Sequence, residues 1–99
     1  MSTNALERLK KGLKRETSRL NGKRLRRARV SSNLAWDLVK LTAQDWFDAQ
    51  IDMKMNECEE IVAQFVKQGP KALLEFHPLG INFELEDDPS APEVVGFAD

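Results

Sequence analysis

Cysteine and histidine occur once each in this 99-residue chain, at Cys58 and His77, and tyrosine does not occur. A lone cysteine excludes an intrachain disulfide and fits a reducing compartment. One cysteine and one histidine also fall short of the four nitrogen or sulfur ligands that a structural zinc site needs. Glycine and proline are scarce, five and four residues, and neither interrupts residues 33–68. The glycine spacings that cradle phosphates, G-x-x-x-x-G-K-[ST] and G-x-G-x-x-G, are absent, and so is the calcium loop with its central glycine. No run approaches the ~20 apolar residues of a membrane-spanning helix, and the N-terminus does not read as a signal peptide. No aromatic residue precedes Trp36.

What the chain does have is an uneven distribution of charge. Its net charge is −1, yet residues 1–30 hold eleven basic residues against Glu7 and Glu16, a net of +9, and residues 31–99 carry −10. The densest stretch, KRLRRAR, places Lys23, Arg24, Arg26, Arg27 and Arg29 within seven residues. An end-to-end asymmetry of this kind marks an interaction arm.

Leu6, Leu9, Leu13 and Leu20, with Thr17 in the gap, form a narrow helical stripe. Asn4 can cap it, and Asn21-Gly22 can stop it. Gly12 weakens such a helix by about 1 kcal/mol relative to Ala, so it is expected to be marginal alone. The following KRLRRARVSS segment reads either as a basic linker or as a short strand, and Ser31 or Ser32 can cap the next helix. From Asn33 to Gln68 apolar residues recur in steps of three or four: Trp36, Val39, Ala43, Phe47, Ile51, Met55, Cys58, Val62 and Phe65. An unbroken helix of 36 residues is well beyond the usual length, so restarts are expected, at Thr42 with Asp45 or at Asn56 with Glu59. Gly69-Pro70 ends this run, PKALLEF predicts a short further helix, and INFELE alternates as a half-buried strand. DDPSAPEVVGFAD reads as an acidic, weakly docked tail.

The expected architecture is therefore mainly α: a small helical domain with a basic N-terminal helix or arm (residues 1–32), a helical core with a short C-terminal strand (33–86) and an acidic tail (87–99). Arm and tail are both expected to be separable from the fold. A basic strand ahead of a helix resembles the opening of a ribbon–helix–helix DNA binder, but residues 34–50 have no glycine or proline turn between two short helices.

Catalytic patterns are weak. His77 lies between Phe76 and Pro78 with no nucleophile near it in sequence. Cys58 is flanked by Glu57 and Glu59, the reverse of the cationic surroundings that activate a thiol. The acidic clusters NECEE and ELEDD read as solvated faces. Trp36, Trp46, Phe47 and Phe65 read as core, and Met53 and Met55 suit either core or an adaptable partner surface. No enzymatic activity, cofactor or metal is expected.

The basic residues Lys10, Lys11, Lys14, Arg15, Lys23, Arg24, Arg26, Arg27 and Arg29 are the expected binding site. Lysine and arginine displace the counterions condensed on nucleic acid, and arginine grips phosphate in two-pronged fashion. Without aromatics among them, stacking on single strands lacks a platform, which favours duplex or structured nucleic acid held by its backbone. The competing expectation is a small regulatory, inhibitor or assembly protein whose basic arm meets an acidic protein surface, including that of another copy in a homo-oligomer. A membrane-surface helix is disfavoured by the thin leucine stripe. The basic pairs also resemble import or transit signals, and the expected location is cytoplasmic, or nucleoid- or nuclear-associated.

Overall fold

Arg27–Ser31 form β1, the central strand of a three-stranded sheet in the computed structural model, which describes residues 4–49 and 51–99. β2 (Asn82–Glu86) pairs parallel to β1, with Ala28 opposite Phe83 and Val30 opposite Leu85. β3 (Val94–Phe97) pairs antiparallel on the other side, with Ala28 opposite Gly96 and Val30 opposite Val94. Strand side chains alternate between faces, so Ala28, Val30, Phe83 and Val94 enter the core. Arg27, Arg29, Glu84, Glu86, Val95 and Phe97 take the opposite face and stay half-exposed. The elements between β1 and β2 are helical, and helix dominates the chain.

Two expectations about the ends are corrected here. Residues 1–32 are not an appended arm, because the end of the basic stretch, from Arg27 on, is the middle strand of the sheet. Nor are residues 87–99 a loose tail. Val94–Phe97 supply one of the two strands that saturate β1, and a buried backbone requires such partners.

The N-terminal helix α1 (Ala5–Arg19) starts as the sequence implies, with Asn4 Oδ1 accepting the Glu7 N–H at 2.9 Å. It stops at Asn21 and Gly22, both left-handed, with the Gly22 N–H donating to the Thr17 carbonyl at 2.9 Å. Leu6, Leu9 and Leu13 are buried in the main core, and Leu20 packs at its margin. Gly12 allows this packing: a Cβ there would stand 2.6 Å from Val94 Cβ and Cγ2. The weakness that Gly12 brings to an isolated helix is the condition for α1 to lie directly on β3.

α1 also closes the free edge of β3. The Glu16 carboxylate accepts the Gly96 N–H at 3.0 Å, and Arg19 Nη2 donates to the Gly96 carbonyl at 3.0 Å. An edge strand otherwise presents unpaired amides, and this pair of side chains satisfies them at Gly96. Burial pushes the Glu16 carboxyl up, but the Arg19 hydrogen bond, the Gly96 N–H and the charges of Arg19 and Arg15 outweigh it and hold the group below its usual 4.5. The folded state thus takes up this proton less readily than the unfolded chain. The resulting stability is present above the unfolded value and is lost as pH falls through the depressed folded one. Glu16→Gln is expected to lower stability at neutral pH by about 1–3 kcal/mol. It should also flatten the fall in stability on acidification, measured as urea midpoints between neutral and acid pH. An unchanged pH profile would remove Glu16 from the acid response.

Ser31 caps α2 (Ser32–Val39), its Oγ accepting the Leu34 N–H at 3.2 Å. The chain breaks after Lys40 and restarts at Thr42, whose hydroxyl accepts from Asp45 N–H while the Asp45 carboxylate accepts from Thr42 N–H, opening α3 (Ala43–Asp48). The next restart is not at Asn56 but two residues earlier, where the Lys54 N–H donates to Glu57 at the head of α4 (Met55–Gln68). A single-turn segment (Gly69–Ala72) and α5 (Leu73–Phe76) follow, then a turn at Pro78–Gly80. Trp46 and Phe65 stack in the core with ring centroids 5.8 Å apart.

Trp36 and Phe47 are not core: they are 55% and 44% exposed. The single stripe drawn through residues 33–68 assumes that helical phase carries across the whole stretch. Each break resets it, and the buried face of α2 is Leu34, Ala35 and Leu38, which turns Trp36 outward.

Candidate nucleic-acid interface

The nine basic residues singled out in the sequence divide into two groups. Arg27 and Arg29 project from the outer face of β1 and contact Glu84 (3.5 Å each), and Arg29 also reaches Glu86 (3.7 Å). The Arg27 guanidinium lies 4.3 Å from the centroid of the Phe97 ring, and that of Arg29 lies 5.5 Å away. Cross-strand pairing and cation–π contact hold both to the sheet.

Part of the positive charge of the first thirty residues, that of Arg8, Arg19, Arg27 and Arg29, is matched inside the molecule. Arg8 donates to Asp37 at 2.8 Å and, with two nitrogens, to Glu93 at 3.0 and 3.1 Å. This fork ties α1 to α2 and to the segment entering β3, and two-pronged arginine–carboxylate contacts are the strong ones. The hydrogen bond from Arg8 holds the Asp37 carboxyl below its usual range against a smaller opposing effect of burial.

The second group is exposed. Lys11, Lys14 and Arg15 on α1, and Lys23, Arg24 and Arg26 on the lead into β1, make no side-chain hydrogen bond or ion pair among the described residues. Lys10 donates to the Ala49 carbonyl at 2.8 Å. Lys10, Lys11 and Lys14 rim a groove of about 390 Å³ floored by Leu13, Ile51 and Leu79. Arg24 reaches the same turn, its Nη2 lying 3.2 Å from where a Cβ on Gly80 would be. Cations from two separate elements thus meet around Leu79 and Gly80.

Comparison with family models, curated proteins and solved structures returns no match.

Leu79 was not among the residues the sequence singled out. It is 38% exposed and has φ 61°, a left-handed conformation that leucine rarely adopts. His77 in the same turn is also left-handed, at φ 43°. The only sequence-level signal was the HPLG turn, which carries no hint that leucine would occupy a strained position beside the lysines.

His77 is exposed in this turn. Cys58 is fully buried, and burial, followed by the charge of Glu57, pushes its thiol up. Among the described residues no three His, Cys, Asp or Glu side chains are grouped to hold a metal ion, and no helix is long and apolar enough to cross a membrane.

Proposed function

We propose that this protein is a non-enzymatic nucleic-acid-binding or nucleic-acid-associated accessory protein that contacts the phosphate backbone. The observation that carries the reading is the division of its cations. Arg8, Arg19, Arg27 and Arg29 have carboxylate partners, whereas Lys11, Lys14, Arg15, Lys23, Arg24 and Arg26 have none among the described residues. Unmatched cations gathered from α1 and the β1 lead-in can replace counterions along a backbone. Among the described residues no aromatic side chain lines the lysine-rimmed groove, which favours duplex or structured nucleic acid over stacked single strands.

The test is a salt titration of duplex binding by fluorescence anisotropy or gel shift. With up to six contacts, log affinity against log salt should fall with a slope no steeper than about −5. Replacing Lys11, Lys14 and Arg24 with Gln should flatten the slope by roughly one per residue and weaken all sequences alike. Arg27→Gln and Arg29→Gln should leave it unchanged, since their charge is already paired. Saltproof affinity, or equal loss from both sets, would end the proposal.

A second reading, a protein-interaction module, is favoured by one feature. Trp36 stands exposed beside a groove shared with Gly69, Pro70 and Leu85.

A further inference from the structure

The groove floored by Leu13, Ile51 and Leu79 has a neighbour of opposite charge. Phe47, Asp48, Asp52, Met53 and Lys54 line a second hollow of about 570 Å³. Successive residues link the two: Ile51 floors the first and Asp52 lines the second, and Lys10 of the first donates at 2.8 Å to the carbonyl of Ala49, the neighbour in sequence of Asp48 in the second. The combined patch has Lys10, Lys11 and Lys14 with Leu13 and Leu79 in one half, and Asp48 and Asp52 with Phe47 and Met53 in the other. Among the described residues Asp48 accepts only a neutral amide, that of Gln44. Neither Asp48 nor Asp52 has an ion-pair partner among the described residues.

We infer that this patch is a self-docking surface on which a second copy of the same chain sits about a two-fold axis. A two-fold contact sets one patch against itself in reverse. Lys10, Lys11 and Lys14 of one copy then face Asp48 and Asp52 of the other, and the reciprocal contact forms at the same time. Phe47, 44% exposed, lies in the acidic half and Leu79, 38% exposed, in the lysine half, so the reversed pairing turns the aromatic ring of each copy toward the Leu79 of the other. Aromatic side chains are favoured anchors of interfaces. A surface of one sign would repel its own copy. Here the charge is divided between the two ends, so self-association satisfies both. Lys54 lies in the acidic half and lowers its net charge, which leaves the lysine end in excess. Docking takes up Lys11 and Lys14, which the nucleic-acid reading also uses, so the two contacts compete for them, while the grounds for each are separate.

Sedimentation velocity and equilibrium on the full chain supply the test. The wild type should be a dimer in equilibrium with monomer. A Lys11→Glu/Lys14→Glu variant, which keeps the Lys10–Ala49 bond, and an Asp48→Lys/Asp52→Lys variant should each dissociate at least about a hundredfold more readily, because like charges then face each other. An equimolar mixture of the two variants should dimerise again, since both contacts of the mixed pair become complementary. Phe47→Ala should weaken the dimer about tenfold or more. These side chains are exposed, so circular dichroism and thermal midpoints should confirm unaltered folding. A wild type that stays monomeric, variants that dimerise as before, a mixture that stays monomeric, or chains that lengthen with concentration would each overturn the inference. Phe47→Ala alters no charge and retains every cation proposed for nucleic acid. Its duplex binding therefore tests the other proposal separately, and should persist when the dimer weakens because Lys11 and Lys14 are then uncovered.

Discussion

Deleting residues 87–99 should leave a chain with no cooperative unfolding transition, measured by circular dichroism in urea. The deletion removes β3, and with it the antiparallel partner of the central strand. Val94, 1% exposed beneath α1, is lost, and burial of such a side chain is worth about 1.5–3 kcal/mol. Arg8 loses the Glu93 half of its fork, and Glu16 is left with a carboxylate aimed at a missing Gly96 amide. The apolar face of α1 opens to water at the same time. A domain of this size has a total stability of about 5–15 kcal/mol, which these combined losses approach or exceed. A truncated chain that unfolds in two states within about 1 kcal/mol of the full one would show that β3 is only lightly docked.

Leu9→Ala should destabilise the protein by about 2–5 kcal/mol, the range for a leucine removed from a well-packed core. Leu9 is 0% exposed and lies on the face of α1 that packs into the main core. For a domain of about this length each kcal/mol lowers the thermal midpoint by roughly 4–8 °C, so the shift is large enough to read directly in a melting curve. Lys14→Ala, one turn away on the solvent face, should move it little. If the two substitutions proved equally mild, α1 would be an appendage and not part of the core.

The local features of the fold were legible because their causes are local. Asn4, Ser31 and Thr42 are each followed three residues later by the N–H that their side chain accepts, a spacing visible in any sequence. The stop at Asn21-Gly22 and the alternation of INFELE are equally local, and Ile81 and Phe83 are buried as the alternation requires. The break of the long helical stretch at Thr42 was foreseen on length and capping. The outward turn of Trp36 was not, because hydrophobic phase within one helix says nothing about the phase of the next.

Long-range partnership was beyond the sequence, and it decides most of what concerns function. The chain alone determined that eleven of its fifteen cations lie within the first thirty residues, that they carry no aromatic companions, and that the body is helical. The tertiary structure decided that Ala28 meets both Phe83 and Gly96, so that a basic stretch became the middle of a sheet. It also decided that Arg8 meets Glu93 across 85 positions and Arg29 meets Glu84 across 55, which divides the cations into matched and unmatched. Helix and turn preferences arise within a few residues. Strand pairing and charge pairing depend on which distant segments the core brings together, and in this chain that depends on a glycine narrow enough for α1 to rest on β3.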